Sequence, residues 1–220
     1  MLFVDFATAF DSIDRQLLLD KLKSDFNLDD SYLALIACLV QNNTIRFRHE
    51  QCQCKRFHGH GMEIVQDVGV LQGDSLSPLL FILYINDVVA KIESQCPNTR
   101  VRLYADDMAI DTEVRDELHT ALGILVEWSR SNRIKVNTSK TKIMKFRRGG
   151  PLSQHDHFFL DGEPIEIVGE YVYLGVTMQP LLSFHKQIKR VSAKAVARIG
   201  ALSHHTSKLS IERALQVFDV

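Results

Sequence analysis

Val101-Arg102-Leu103-Tyr104-Ala105-Asp106-Asp107-Met108-Ala109-Ile110 is the stretch on which the fold turns. Apolar residues alternate along both flanks of an acidic doublet, which predicts a hairpin over residues 101–111 with the doublet at its tip. Two adjacent carboxylates in apolar surroundings repel each other and lose water. A protein tolerates that when a cation sits between them and a third ligand. Asp5 is the third candidate, at the end of the apolar run Leu2-Phe3-Val4. Three carboxylates on adjacent strand ends would form a divalent-metal site of the kind that serves phosphoryl or nucleotidyl transfer.

Outward from that hairpin, the patterning predicts a strand over 2–5, an amphipathic helix over 14–26 and a second helix over 32–41, capped from Asp29 or Ser31. Alternation of Ile45, Phe47 and His49 with Arg46 and Arg48 suggests a strand that returns over 63–68. Pro78 opens an apolar helix to about Ser94, with Ser77 as its cap. A long amphipathic helix spans 114–132. Short strands follow at 143–146, 158–160, 165–168 and 171–178, then a basic helix over 184–204 and a further helix from 211. The order predicts an α+β fold, an antiparallel sheet backed by helices.

At 220 residues and 45% hydrophobic content the chain can bury a real core. Its longest apolar run, Tyr32 to Val40, is well short of the roughly twenty residues that span a bilayer, so a membrane partner is not expected. No secretion signal is visible and four cysteines form no disulfide pattern, which predicts an intracellular setting, nuclear or cytoplasmic. The net charge of −1 conceals two halves. Residues 1–132 hold 12 basic and 20 acidic residues, a balance of −8; residues 133–220 hold 14 and 7, a balance of +7. The first half suits cations and the second a polyanion. Cys52, Cys54, His58 and His60 are four zinc-type ligands in nine residues, but their tight spacing within a hairpin argues for strand residues rather than a metal centre.

Five motifs in order carry a resemblance. They are Asp5-Phe6-Ala7-Thr8-Ala9-Phe10-Asp11, Gly69 to Pro78 around Gln72-Gly73-Asp74, Tyr104-Ala105-Asp106-Asp107, Asn137 to Lys142, and Tyr171-Val172-Tyr173-Leu174-Gly175-Val176. In this series the chain resembles the reverse transcriptase palm of non-LTR (LINE-type) retrotransposons. The resemblance implies an RNA-directed DNA polymerase that uses two Mg²⁺ ions (Mn²⁺ as a substitute), with RNA template, DNA primer and dNTP as partners.

It also implies roles. Asp5 and Asp106 would bridge both metal ions, and Asp107 would assist. Lys140, with Lys142 as competitor, would protonate or neutralise the departing pyrophosphate. Backbone N–H groups of Phe6, Ala7, Thr8 and Ala9 would meet the triphosphate as the strand turns into the helix. Phe10 would pack under the sugar and disfavour a 2′-hydroxyl, and Gln72, Gly73 and Tyr104 would line the nucleotide site. Tyr173, Leu174 and Gly175 would touch the primer backbone. The basic helix (Lys186, Lys189, Arg190, Lys194, Arg198) would meet phosphates, and its apolar spacing at Ile188, Val191, Ala195, Ile199 and Leu202 reads as a packing face.

The expected division is a palm over 1–178, with its primer-grip hairpin at 171–178, and an incomplete thumb-like region over 179–220. Beside the family pattern the chain looks truncated, starting at the first motif without the fingers that precede it. The alternative is a catalytically silent remnant that binds nucleic acid or protein.

Overall fold

The computed structural model describes residues 1–41, 43–46, 63–66, 68–71, 73–150 and 156–206. In chain order they form β1 (Leu2–Val4), a 3-10 turn (Phe10–Ser12), α1 (Arg15–Ser24), α2 (Asp30–Val40), β2 (Asn43–Arg46), β3 (Glu63–Gln66), α3 (Ser77–Gln95), β4 (Thr99–Tyr104), β5 (Asp107–Thr112) and α4 (Arg115–Ser131). Then come β6 (Lys142–Ile143), β7 (Phe159–Leu160), β8 (Glu163–Pro164), β9 (Glu166–Ile167), β10 (Tyr171–Tyr173), β11 (Val176–Met178) and α5 (His185–Thr206).

Local chemistry explains where the helices start. Asp14 caps α1 by accepting the Leu17 N–H at 3.0 Å, and Asp29 caps α2 by accepting the Ser31 N–H at 2.9 Å. Ser77 is not the cap expected for α3: Leu76 holds that position without a side-chain bond, and Ser77 lies buried inside the first turn. The adjacent Pro78 lacks an N–H where none could be used, so little is lost.

The sheet runs β4-β5-β1-β6-β9. Its first three pairings are antiparallel as expected, but β9 lies parallel to β6 at the edge. Parallel pairing needs a crossover. The connection between β6 and β9 is residues 144–165, which include the β7–β8 hairpin. β6 is also shorter than expected. Helix α3 packs on β4, and α4 packs on β5 and on α3. Between them lie Leu2, Phe81, Tyr84, Ile85, Val88, Ile92, Met108, Ile110, Leu125 and Trp128, all at most 2% exposed. Each such side chain contributes about 1.5–3 kcal/mol by leaving water.

A half-buried polar cluster ties three helices together. Lys21 of α1 reaches Asp87 of α3 at 2.6 Å and donates to the Tyr84 carbonyl at 2.7 Å. Its ammonium lies over the rings of Tyr84 and Trp128. Asp87 also accepts the Trp128 indole N–H at 2.8 Å and pairs with Lys91. Tyr84 in turn donates to the Asn132 carbonyl at 2.7 Å. Burial lowers the Lys21 pKa, with Asp87 pulling it back. Burial would raise Asp87, but the bonds from Lys21 and Trp128 outweigh it and hold the carboxyl below its ordinary value.

The described chain forms two compact units, Met1–Ile143 with Ser153–Ile167, and Met144–Leu152 with Val168–Val220. In the second, α5 packs on β11. The strands β2 and β3 pair as expected. The Cys52, Cys54, His58 and His60 cluster and the helix expected from 211 lie outside the described residues. No described helix is long and apolar enough to cross a membrane.

Asp87→Asn leaves the half-buried Lys21 charge without its ion-pair partner, so it should cost about 2 kcal/mol in urea unfolding at pH 7, the scale of a hydrogen bond to a charged group. A folded pKa below the unfolded one makes the Asp87 contribution complete above about pH 4, and acid removes it as the folded group protonates. The variant should therefore lose less stability than the parent between pH 6 and 3. Parallel losses would refute the assigned role.

Candidate active site

The register of β1 against β5 pairs Leu2 with Ile110, Phe3 with Ala109 and Val4 with Met108. The next step along this ladder sets Asp5 opposite Asp107. Tyr104 pairs with Asp107, leaving Ala105 and Asp106 as a two-residue turn with Ala105 at φ 53°. The acidic doublet is therefore split: Asp106 sits in the turn and Asp107 opens β5. Both are exposed and Asp5 is half-buried. Partial burial raises the Asp107 pKa first, and the charges of Asp106 and Asp5 raise it further. The three carboxylates expected from the sequence share one electrostatic field.

On its other edge, β1 meets a strand with an insertion. Phe6 bridges Val136 and Phe3 pairs with Lys142. Three steps on one strand (6 − 3) thus face six on the other (142 − 136), and the excess of three folds out as a turn. Asn137 organises it. Its side-chain oxygen accepts from Ser139 Oγ at 2.7 Å, and its carbonyl accepts the Thr141 N–H at 2.9 Å. The turn presents Lys140, whose Nζ stands 3.8 Å from Asp5 Oδ2. Lys142, the competing candidate, instead pairs with Glu166 at 2.8 Å. Thr141 is buried and its Oγ1 accepts the Asp5 N–H at 3.3 Å. It belongs to the site although its residue type alone carried no hint of this.

Other expected contacts fare differently. The Phe6 ring is buried edge-on to Trp128, with centroids 6.1 Å apart. The Ala7 N–H is committed to the Lys135 carbonyl at 2.8 Å, which removes it as a triphosphate donor. Among the described residues the N–H groups of Thr8 and Ala9 have no partner. Phe10 is half-buried and stacks on Phe81 at 4.7 Å, so the core holds one ring face. Gly73 has φ +92° with open space about its Cα, and Tyr104 is 67% exposed. Gln72 lies outside the described residues.

In the second unit, Tyr173 pairs with Val176 across Leu174 (φ 48°) and Gly175 (φ 79°). Helix α5 braces this hairpin: Gln187 accepts the Thr177 N–H at 2.8 Å, and Arg190 reaches Thr177 Oγ1 at 3.1 Å. Lys186 pairs with Glu170. Two of the five basic residues expected to face phosphates are thus engaged within the unit. On the expected packing face, Ile188, Val191 and Ile199 are each more than half exposed among the described residues.

The reverse transcriptase (RNA-dependent DNA polymerase) family profile matches residues 1–178. The chain belongs to this family. It is 28% identical over 230 aligned residues to the probable RNA-directed DNA polymerase from transposon X-element of Drosophila melanogaster, covering 99% of this chain and 24% of that protein. It is 23% identical to the RNA-directed DNA polymerase from mobile element jockey of Drosophila funebris, covering 98% and 24%. The chain thus spans about a quarter of the relatives it matches. Among solved structures, apo telomerase from Candida tropicalis truncated from its C-terminal domain aligns with a TM-score of 0.55 at 12% identity, covering 83% of this chain and 34% of that one. That likeness is one of fold, consistent with a palm. The resemblance to non-LTR reverse transcriptases drawn from the five motifs holds.

Asp107→Asn removes a carboxylate that burial and two neighbouring charges disfavour. In chelator at pH 7 the melting temperature should rise, by about 1–2 °C because exposed charges are screened. With the folded pKa raised, this cost builds as pH rises from the unfolded value through the folded one and is absent below the unfolded value, so the gain should vanish in acid. A fall in melting temperature at pH 7 would contradict the shared field.

Proposed function

We propose that the chain is the palm of an RNA-directed DNA polymerase, which joins a nucleoside monophosphate from a dNTP to a primer 3′-hydroxyl on an RNA template. The observation that carries this reading is the β1–β5 register, with Asp5 one step beyond the Val4–Met108 pair and Lys140 beside it. Family membership over residues 1–178 supports it. The palm would comprise residues 1–178, and residues 179–220 would form a thumb-like region.

Asp5, Asp106 and Asp107 offer hard carboxylate oxygens without a soft ligand, the donor chemistry that suits Mg²⁺ or Mn²⁺. No group of three His, Cys, Asp or Glu side chains among the described residues is close enough to hold an ion unaided. Substrate phosphates and water would complete the shells. When bound, two such ions activate the hydroxyl and clamp the leaving oxygens.

The chain's own groups do the rest. Asp5 and Asp106 hold the cations, and Asp107 offsets their charge from the next position. Lys140 meets the pyrophosphate as it leaves and supplies a proton or a positive charge. The N–H groups of Thr8 and Ala9 face the triphosphate in place of Ala7. The free edge of Phe10 limits room at the sugar 2′ position, and Gly73 and Tyr104 border the nucleotide. The Tyr173-Leu174-Gly175 hairpin touches the primer backbone, and Lys189, Lys194 and Arg198 meet phosphates in a salt-dependent manner.

Grafted into a full-length relative in place of the matching quarter, the chain given poly(rA)–oligo(dT), dTTP and Mg²⁺ should extend the primer; by itself it should extend little or not at all. Asp5→Asn and Asp106→Asn should each reduce extension by about a hundredfold or more, the scale of losing one electrostatic stabiliser. No extension by the grafted parent, or equal extension by grafted parent and variants, would refute polymerisation at this site.

A further inference from the structure

Arg15 is a charged side chain that the proposed chemistry does not use, yet it is 8% exposed. Burying a guanidinium is costly unless its N–H groups are bonded. Here Nε donates to the Gly69 carbonyl at 2.8 Å, and Nη2 reaches the Val68 carbonyl at 3.4 Å. These carbonyls stand where the chain enters the loop that carries Gly73.

The same entry point is bound twice more to the first motif. The Gly69 N–H donates to the Ile13 carbonyl at 2.8 Å, and the Val70 N–H donates to the Phe10 carbonyl at 2.9 Å. Gly69 sits at φ +79°, and a Cβ there would lie 2.7 Å from Asp11 Cα. Only glycine allows so close an approach. The exit of the loop is fixed as well, because Phe81 of α3 stacks on the Phe10 ring. Phe10 is thus held by its carbonyl at the loop entry and by its ring at the loop exit.

We infer that Arg15 is a positioning residue for the nucleotide site. It clamps residues 68–70 onto the 10–15 segment, so that Phe10 and the Gly73 loop keep one spacing. This inference rests on the proposed polymerase reading for its consequence and on geometry alone for the clamp. Without the guanidinium, two carbonyls lose their donor and the loop entry can slide. Carboxylates and sheet stay as they are, so the effect should fall on dNTP affinity rather than on template–primer binding.

Two readouts separate the clamp from its consequence. Hydrogen exchange of the Gly69 and Val70 amides needs no catalysis. In Arg15→Ala their exchange should speed up at least about tenfold, the scale of a lost charge-assisted hydrogen bond. Calorimetric titration with dTTP and Mg²⁺ in the presence of poly(rA)–oligo(dT) should show dTTP affinity weakened about tenfold, with duplex affinity unchanged. Arg15→Lys, which keeps the charge and one donor, should fall between parent and Arg15→Ala and guards against a misfolded alanine variant. Unchanged exchange in both variants overturns the clamp. Faster exchange with unaltered dTTP affinity, or equal loss of dTTP and duplex binding, overturns the positioning role. A parent chain that binds no dTTP overturns the nucleotide-site reading and this role with it, while the exchange result still reports on the clamp.

Discussion

The proposed active site depends on the antiparallel register of β1 with β5. Side chains along a strand alternate between faces, so a slip of one residue would turn Asp5 away from Asp107 and send Phe3 or Val4 out of the core. The register is enforced because Leu2, Phe3, Val4, Met108, Ala109 and Ile110 are all buried. Hydrophobic burial therefore does electrostatic work. It holds carboxylates together that would otherwise separate; burial first, and then the charges of Asp106 and Asp5, raise the Asp107 pKa.

Two further devices convert this pairing into a site. The three-residue excess opposite β1 folds out at Asn137 and brings Lys140 to Asp5. The Lys21–Asp87–Trp128 cluster locks α1, α3 and α4 together behind the sheet. Buried ion pairs contribute less net stability than their distances suggest, but they oppose any arrangement that leaves one partner alone. A rigid backing of this kind suits carboxylates that must hold position against their own repulsion.

Much of this was legible in the sequence where two periodicities met a marker residue. The hairpin at Asp106 and Asp107 showed as strand alternation around polar residues, and the helix cap at Asp29 as a short acidic residue before an apolar repeat. Long-range commitments were not legible. Nothing local says that the Ala7 N–H is spent on Lys135, that Lys142 belongs to Glu166 while Lys140 belongs to Asp5, or that Arg15 is buried beneath Gly69. A buried arginine has the same pattern signature as a solvated one. The parallel β9 edge escaped for a related reason: two-residue strands carry too little alternation to reveal their direction. The Tyr173 hairpin was legible because Leu174-Gly175 places glycine at a positive φ, whereas the exposed face of α5 read as a packing stripe from spacing alone.

The most direct test of the central claim is paramagnetic broadening by substoichiometric Mn²⁺ in amide-resolved NMR spectra. A shared carboxylate cradle predicts that the amides of Asp5, Asp106, Asp107 and Thr141 broaden together at the lowest Mn²⁺ level, and that Asp5→Asn weakens broadening at Asp107. Broadening confined to one strand, or broadening at Asp107 that ignores the loss of the Asp5 carboxylate, would contradict it.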